Sequence, residues 1–392
     1  MIIGLVGKPN VGKSTFFKAA TLANVEIAPY PFTTIDANEG VAYVKVECPE
    51  KLIGKKCSPN HGFCIDGNRF VPIKLVDVAG LVPEAHKGKG RGNEFLSDLS
   101  EADCLIHVVD VSGRTDENGE PTENYNVIKD IDFINKEIEM WIKGILTRNW
   151  QTLERKAKQT SLVKEISEQL SGLKVKEETV KEIISKLNLD EKGNWTDTDL
   201  LDFSIQIRKK SKPMIIAANK ADLPESKENI KLLKERFPDT LIIPCSADYE
   251  IALKEASKLG LINYIPGDDS FSITNPEKLT ESQKKALEKI EDYLKKWKST
   301  GVQECLNKAV FEFLNYIVVY PVENENKWTD SKNKLLPDAL LLPKGSTALD
   351  LAFSIHTDIG KNFMSAIDAK TKKRLGKDSK LNNHDIIKIL TK

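Results

Sequence analysis

Short apolar runs alternate with polar, glycine-containing stretches through the first two thirds of the chain. They fall at Met1–Val6, Val71–Val76, Leu105–Val109, Met214–Ala218 and Leu241–Ile243. Each has the length of a strand, each ends in a polar or glycine-containing loop, and helix-like segments lie between several of them. That alternation predicts an α/β domain with a mostly parallel sheet. A first helix is expected from Lys13 to about Ala23, directly after a glycine-rich loop.

The period changes over residues 124–206. Val127, Ile131, Ile134, Ile138, Trp141 and Ile145 are spaced 4, 3, 4, 3, 4, which is a heptad seam. Val163, Ile166, Leu170 and Leu173 mark a second helix, and Gly172 suggests a break before a further run to Leu187. The expectation is a helical, coiled-coil-like hairpin inserted into the α/β domain, its seam mostly core. A polar helix follows at about Thr280 to Lys298. Tyr316–Tyr320 reads as a strand, Ser346 or Thr347 as the cap of a helix from Ala348, and Asp385–Leu390 as a closing strand. The chain thus divides into an α/β domain (1–123 and 207–270), the insertion (124–206), a helical connector (271–310) and a small α+β module (311–392).

Across 392 residues, Lys+Arg and Asp+Glu each number 58, so a nucleic-acid partner would have to be met by a local basic patch. No apolar stretch approaches the roughly 18 residues of a membrane helix, and the N-terminus reads as strand and loop rather than leader, so no membrane partner and a cytoplasmic location are expected. Cys104, Cys245 and Cys305 sit in apolar contexts as buried thiols. Cys48, Cys57 and Cys64 fall near His61, and four such groups could hold zinc. Against that, no C-x-x-C pair is present, and free loop thiols or a Cys57–Cys64 disulfide remain open.

The chemistry concentrates at the ends of the predicted strands. Gly7-Lys8-Pro9-Asn10-Val11-Gly12-Lys13-Ser14 fits G-x-x-x-x-G-K-[ST] between a strand and a helix. Such a loop turns backbone N–H groups onto phosphate oxygens, and the helix N-terminus adds its positive end. Lys8, Pro9, Asn10, Val11, Gly12, Lys13, Ser14 and Thr15 are the expected phosphate-site residues. Lys13 would reach the β- and γ-phosphates and the Ser14 hydroxyl would ligate Mg²⁺. Asp77-Val78-Ala79-Gly80 follows another strand: Asp77 can hold Mg²⁺ through water, and the Gly80 N–H can meet the γ-phosphate. After a later strand comes Asn219-Lys220-Ala221-Asp222. Asp222 can accept from guanine N1–H and N2–H₂ together, a donor pair that adenine lacks. Ser246 and Ala247, again after a strand, would supply a backbone N–H to guanine O6. Together these elements predict a guanine-nucleotide site.

Those motifs, with Tyr30-Pro31-Phe32-Thr33-Thr34 and the stretch from Asp77 to Leu96 (DVAGLVPEAHKGKGRGNEFL), resemble the Obg-like P-loop GTPases, specifically the YchF branch in its archaeal form. Pro343 to Phe363 (PKGSTALDLAFSIHTDIGKNF) resembles a TGS module, which implies a β-grasp fold for the C-terminal part. The resemblance implies that Thr34 contacts Mg²⁺ and the γ-phosphate, and that Lys13 and Gly80 belong to the catalytic set. Leu81 stands where other GTPases carry a catalytic Gln. Family members of this kind can use an asparagine at the position of Asn10 to bind K⁺, so K⁺-stimulated hydrolysis is expected. His86 is a weaker candidate for the base, a solvent-exposed loop histidine being the simpler account. His107, inside a strand, reads as a satisfied core histidine. Bacterial and eukaryotic members often replace the NKxD stretch and prefer ATP, whereas Asn219, Lys220 and Asp222 are intact here.

Lys370, Lys372, Lys373, Arg374, Lys377 and Lys380 lie within eleven residues, a run able to track a phosphate backbone or simply to stay solvated. The resulting expectation is a monomeric GTP-binding and GTP-hydrolysing switch associated with ribosomes or rRNA. Alternatives are an ATP-preferring ATPase of the same branch, or a nucleotide-gated adaptor with negligible turnover.

Overall fold

A computed structural model describes residues 1–23, 38–78 and 98–392. Its main sheet has seven strands: β1 (Ile2–Val6), β2 (Glu39–Glu47), β3 (Phe63–Ile65), β4 (Asn68–Asp77), β5 (Cys104–Asp110), β6 (Met214–Asn219) and β7 (Ile242–Pro244). The spatial order is β2-β4-β1-β5-β6-β7, with β3 beside the start of β4. β4, β1, β5, β6 and β7 run parallel, while β2 and β3 pair antiparallel with β4. Helix α1 (Lys13–Thr21) follows β1, and a single turn α2 (Glu50–Ile53) follows β2.

Side chains alternate across the central strands, as period 2 requires. Met214, Ile216 and Ala218 face one core, Ile215 and Ala217 the other. The first core is covered by the insertion. The expected hairpin is instead four helices: α3 (Ile128–Ala157), α4 (Leu162–Gln169), α5 (Glu177–Leu187) and α6 (Asp197–Ser211). The heptad reading of α3 holds for Ile131, Ile134, Ile138 and Trp141, but Ile142 and Leu146 are fully buried where Ile145 is only partly so. The stripe therefore drifts at 3.6 residues per turn because several short helices, not one partner, cover it. Trp150, Trp195 and Phe203 close this core, with ring centroids 4.8 and 5.0 Å apart. Asp190-Glu191-Lys192-Gly193 carries no helical period, and the start of α6 is fixed by a Thr196–Asp199 capping box.

Beyond β6 lie α7 (Ser226–Arg236), α8 (Ala247–Lys258), the pair β8 (Ile262–Asn263) and β9 (Ser272–Ile273), and α9 (Glu281–Trp297), opened by a Thr280–Gln283 capping box. Helix α10 (Val302–Lys308) is no free connector: Val302, Cys305 and Leu306 are buried with Ile3, Leu5 and Phe16 in the second core.

The C-terminal sheet contains β10 (Tyr316–Val322), β11 (Leu340–Pro343), β12 (Phe363–Asp368), β13 (Arg374–Leu375) and β14 (Asp385–Thr391) in the order β11-β10-β14-β12-β13. Helices α11 (Ala348–Ile355) and α12 (Thr357–Lys361) join β11 to β12. Thr347, rather than Ser346, caps α11 and forms a capping box with Asp350. Ile317, Val319 and Ile387 face α11, whereas Val318, Tyr320 and Ile386 join the second core under the main sheet. β10 thus packs on both faces and anchors the module to the main-sheet domain. Among the described residues no helix is long and apolar enough to cross a membrane.

Candidate functional site

The loop from Gly7 to Lys13 turns between β1 and α1 with Asn10 at φ +61° and Gly12 at φ +90°. A side chain at Gly12 would be strained by that φ, and its Cβ would lie 2.4 Å from Asn219 Nδ2. Helix α1 starts with no side-chain cap and no acidic residue in its first turn. Its first N–H groups and its positive end are therefore left to an anion. The Lys13 ammonium donates to Asp77 Oδ1 at 2.5 Å and to Val78 O at 2.6 Å. Lys13, Ser14 and Asp77 thus meet at the carboxyl ends of β1 and β4, the edge where ligands of open α/β sheets bind. Ser14 is exposed.

At the other end of the cleft, Asn219 ties three segments together. Its Nδ2 donates to Val11 O at 3.0 Å, and its Oδ1 accepts the Ala247 N–H at 3.1 Å. Lys220, at φ +61°, donates to Asn10 O at 3.1 Å and to Asp110 Oδ2 at 2.8 Å. Asp110 closes β5 fully buried and also accepts from Ser112 Oγ and Thr115 Oγ1. The Asp222 carboxylate is half-buried. It lies near Tyr249, whose phenol is pushed up by burial and then by Asp222. Tyr249 meets Tyr293 of α9 edge to face at 5.4 Å.

Three expectations need correction here. Ser246 donates its N–H to Thr300 O at 2.9 Å, and the Ala247 N–H goes to Asn219. A base oxygen would have to draw the Ala247 N–H away from Asn219. Thr300 and Gly301 brace this loop from behind: a Cβ on Gly301, at φ +83°, would meet Pro244 O at 2.1 Å. The Lys8 side chain turns away from the phosphate side. It is 5% exposed, donates to Thr115 O at 2.9 Å, pairs with Asp130 Oδ1 and Oδ2 at 3.0 and 2.8 Å, and sits 3.9 Å from the Tyr125 ring centroid. Burial pushes the Asp130 carboxyl up, and Lys8 pulls it back. His107, facing the same region, is buried but not satisfied: its Nδ1 has no hydrogen bond. Burial and then Lys8 push its pKa down to about 3, so it stays neutral.

The Asn10 amide donates to Gly119 O at 2.9 Å. Since a carbonyl only accepts, Nδ2 must face it, which leaves Oδ1 for another partner. Pro9 is exposed, and Gly119 packs on it so closely that a Cβ there would lie 2.5 Å from Pro9 O. Thr15 is half-buried on α1. Thr34, Gly80, Leu81 and His86 lie outside the described residues. The basic residues Lys370, Lys372, Lys373, Arg374, Lys377 and Lys380 are all exposed around edge strand β13. Two of them have partners within the module: Lys372 donates to Glu325 O and Arg374 to Ser365 Oγ. Sequence reasoning missed Asp110, Asp130, Tyr125 and Thr300. Only Asp110 carried a signal, as an acidic residue ending an apolar strand in the manner of Asp77.

Three stretches of the chain match known protein families. Residues 2–145 match the 50S ribosome-binding GTPase family, residues 217–324 the G4 motif-containing domain of Obg-like, YGR210-like GTPases, and residues 332–391 the TGS domain. GTP-binding protein MJ1332 of Methanocaldococcus jannaschii is 52% identical over 392 residues, spanning 100% of this chain and 99% of its own. GTP-binding protein C428.15 of Schizosaccharomyces pombe is 37% identical over 89% of this chain and 88% of its own. The crystal structure of a GTP binding protein from Pyrococcus horikoshii superposes with a TM-score of 0.78 at 41% identity, covering 100% of both chains. A phosphate loop, an intact NKxD strand end and a C-terminal TGS module, matched over their whole length by such relatives, place the chain among the Obg-like GTPases of the YchF type.

Proposed function

We propose that this protein binds GTP, hydrolyses it, and uses the difference between its GTP and GDP forms as a switch on ribosomes or rRNA. The observation that carries the reading is the Asn219 side chain, which joins Val11 of the phosphate loop to Ala247 and so sets Asp222 at a fixed distance from Lys13. With the phosphates on α1, Asp222 reads the base edge: its two oxygens accept from guanine N1–H and N2–H₂. An adenine there would leave the carboxylate unpaired, at a cost of about 1–3 kcal/mol or more.

Hydrolysis by such a site is mostly positioning and charge neutralisation. Lys13 would exchange Asp77 for the β- and γ-phosphates, because a phosphate carries more charge than one carboxylate. The Ser14 hydroxyl and the released Asp77 carboxylate form a hard-oxygen donor set suited to Mg²⁺, with Thr34 proposed as a further ligand. When bound, magnesium would neutralise charge on the β- and γ-oxygens. Gly80 would donate its N–H to the γ-phosphate, and His86 would be the side chain to approach the attacking water. Asn10, with Nδ2 held by Gly119, would offer Oδ1 to K⁺. GTP turnover is accordingly expected to be faster in potassium than in sodium buffer, and Asn10→Ala to remove the difference. Equal rates in the two salts would end the K⁺ assignment.

The ribosomal part rests on the exposed cluster at β13 and on relatives: a protein 28% identical from Buchnera aphidicola is named ribosome-binding ATPase YchF. The test is GTP and ATP turnover in potassium buffer with and without ribosomes, together with cosedimentation of a Lys373→Glu/Lys377→Glu variant. GTP-selective turnover that ribosomes accelerate, with cosedimentation weakened in the variant, is expected. ATP-selective turnover would overturn the base assignment, and unaltered cosedimentation would remove the cluster from the interface.

A further inference from the structure

Four groups converge at the outer end of the main sheet, at its β2–β4 edge. Cys48 follows β2, Glu50 opens α2, Cys57 lies in the loop beyond and Cys64 belongs to β3. One ligand atom from each lies within 4.8 Å of all the others. Cys48 is buried, Glu50 is 9% exposed, and Cys57 and Cys64 are half-buried. His61, the neighbour that sequence proximity suggested, is not of this set. Its place is taken by Glu50, whose Oε2 accepts the Cys57 N–H at 2.6 Å and whose Oε1 lies 3.3 Å from Cys64 Sγ.

We propose that Cys48, Glu50, Cys57 and Cys64 form a structural zinc site. The Cys48 and Cys57 sulfurs are 3.8 Å apart, and two thiolates on a tetrahedral zinc at about 2.3 Å each stand roughly 3.8 Å apart. Thiolate-rich donor sets select zinc over magnesium or calcium. Binding would release three thiol protons and leave Zn²⁺ with three thiolates and one carboxylate, a net charge of −2. Arg69 reduces that charge from the adjacent strand β4: it is 0% exposed, and its Nη1 lies 3.5 Å from Cys57 Sγ. A guanidinium placed against a ligand sulfur is the kind of outer contact by which metal sites orient and tune their ligands.

The placement assigns the site a task. Arg69 also donates to Leu336 O and Pro337 O at 3.1 Å each. The Ser58 and Asn60 N–H groups donate to Leu335 O and Pro337 O at 2.9 and 2.8 Å. The loop that would wrap the metal is therefore the loop that docks the segment between β10 and β11. Zinc here would staple the C-terminal module to the β2–β4 end of the nucleotide domain. This inference does not depend on the proposed function.

The test uses the full chain, purified with reductant, stripped by chelator and titrated with Zn²⁺ or Co²⁺. One metal per chain is expected, with the d–d and thiolate charge-transfer bands of tetrahedral cobalt. Cys57→Ser and Glu50→Gln should each weaken zinc binding by at least about 10–100-fold, as the loss of supporting contacts already does at zinc sites. Zinc should raise Tm in the wild type and not in Cys57→Ser. Should Cys57→Ser fail to fold, the wild-type titration and Glu50→Gln decide. Fully reduced wild-type protein that takes up neither metal, octahedral cobalt without thiolate bands, or a stable disulfide among these cysteines would overturn the site.

Discussion

Asp222→Asn should lower GTP affinity roughly 10²–10³-fold. The substitution removes two hydrogen bonds to a charged acceptor, each worth about 1.5–3 kcal/mol, and turns an amide N–H toward guanine N2–H₂. Allowing for partial replacement by water, the loss is about 3–4 kcal/mol. The same change creates a match for xanthine, whose O2 accepts where guanine donates, so xanthosine triphosphate should bind better than GTP. Equilibrium titration with labelled GTP, ATP and XTP checks both halves. The variant should remain folded, since Asp222 is a half-buried strand-end carboxylate, and Tm should move by no more than a surface change produces. GTP binding unchanged in Asp222→Asn would show that the carboxylate does not touch the base, and the guanine assignment would go with it.

How much of this could be read in advance depends on which physical rule governs each segment. The parallel strands were readable because both their faces are buried, which makes the run continuously apolar. β2 and β3 were not. They form the outer, antiparallel part of the sheet, and β2 carries Gly40, Lys45 and Glu47 among its apolar residues. In the insertion, the heptad template found α3 but miscounted its partners, because spacing tells which face is buried and not what buries it. The site motifs were readable at fixed spacing. What surrounds them was not: Asp110 accepts from Lys220, 110 residues away in sequence, and Thr300 braces Ser246 through a backbone carbonyl. Lys8 shows the limit most plainly. As the variable position after Gly7 its side chain is unconstrained by the phosphate motif, and only the fold reveals that it points into the insertion.

That side chain leads to the second large effect. Asp130→Ala should destabilise the protein by about 3–5 kcal/mol, because it leaves the Lys8 ammonium buried without its counter-charge. At about 2–4 °C per kcal/mol for a domain of 150–250 residues, Tm should fall by roughly 6–20 °C. Thr115 O and the Tyr125 ring stay as partners of Lys8, yet neither carries a charge, and Tyr125 loses the carboxylate its hydroxyl donates to at 3.0 Å. Lys8→Met/Asp130→Leu should recover most of the loss, since removing both ions of a buried pair is often neutral or better. Thermal melts of the wild type, Lys8→Met, Asp130→Leu and their double give a coupling energy between two residues 122 positions apart. The same four proteins should then be titrated with GTP. Lys8 lies between Gly7 and Pro9 of the phosphate loop, and Asp130 lies in the first turn of α3. A coupling seen in stability and repeated in GTP affinity would mean that the nucleotide and the insertion report to each other through this pair. A coupling confined to stability would make the pair a strut only, and additive singles would remove even that role.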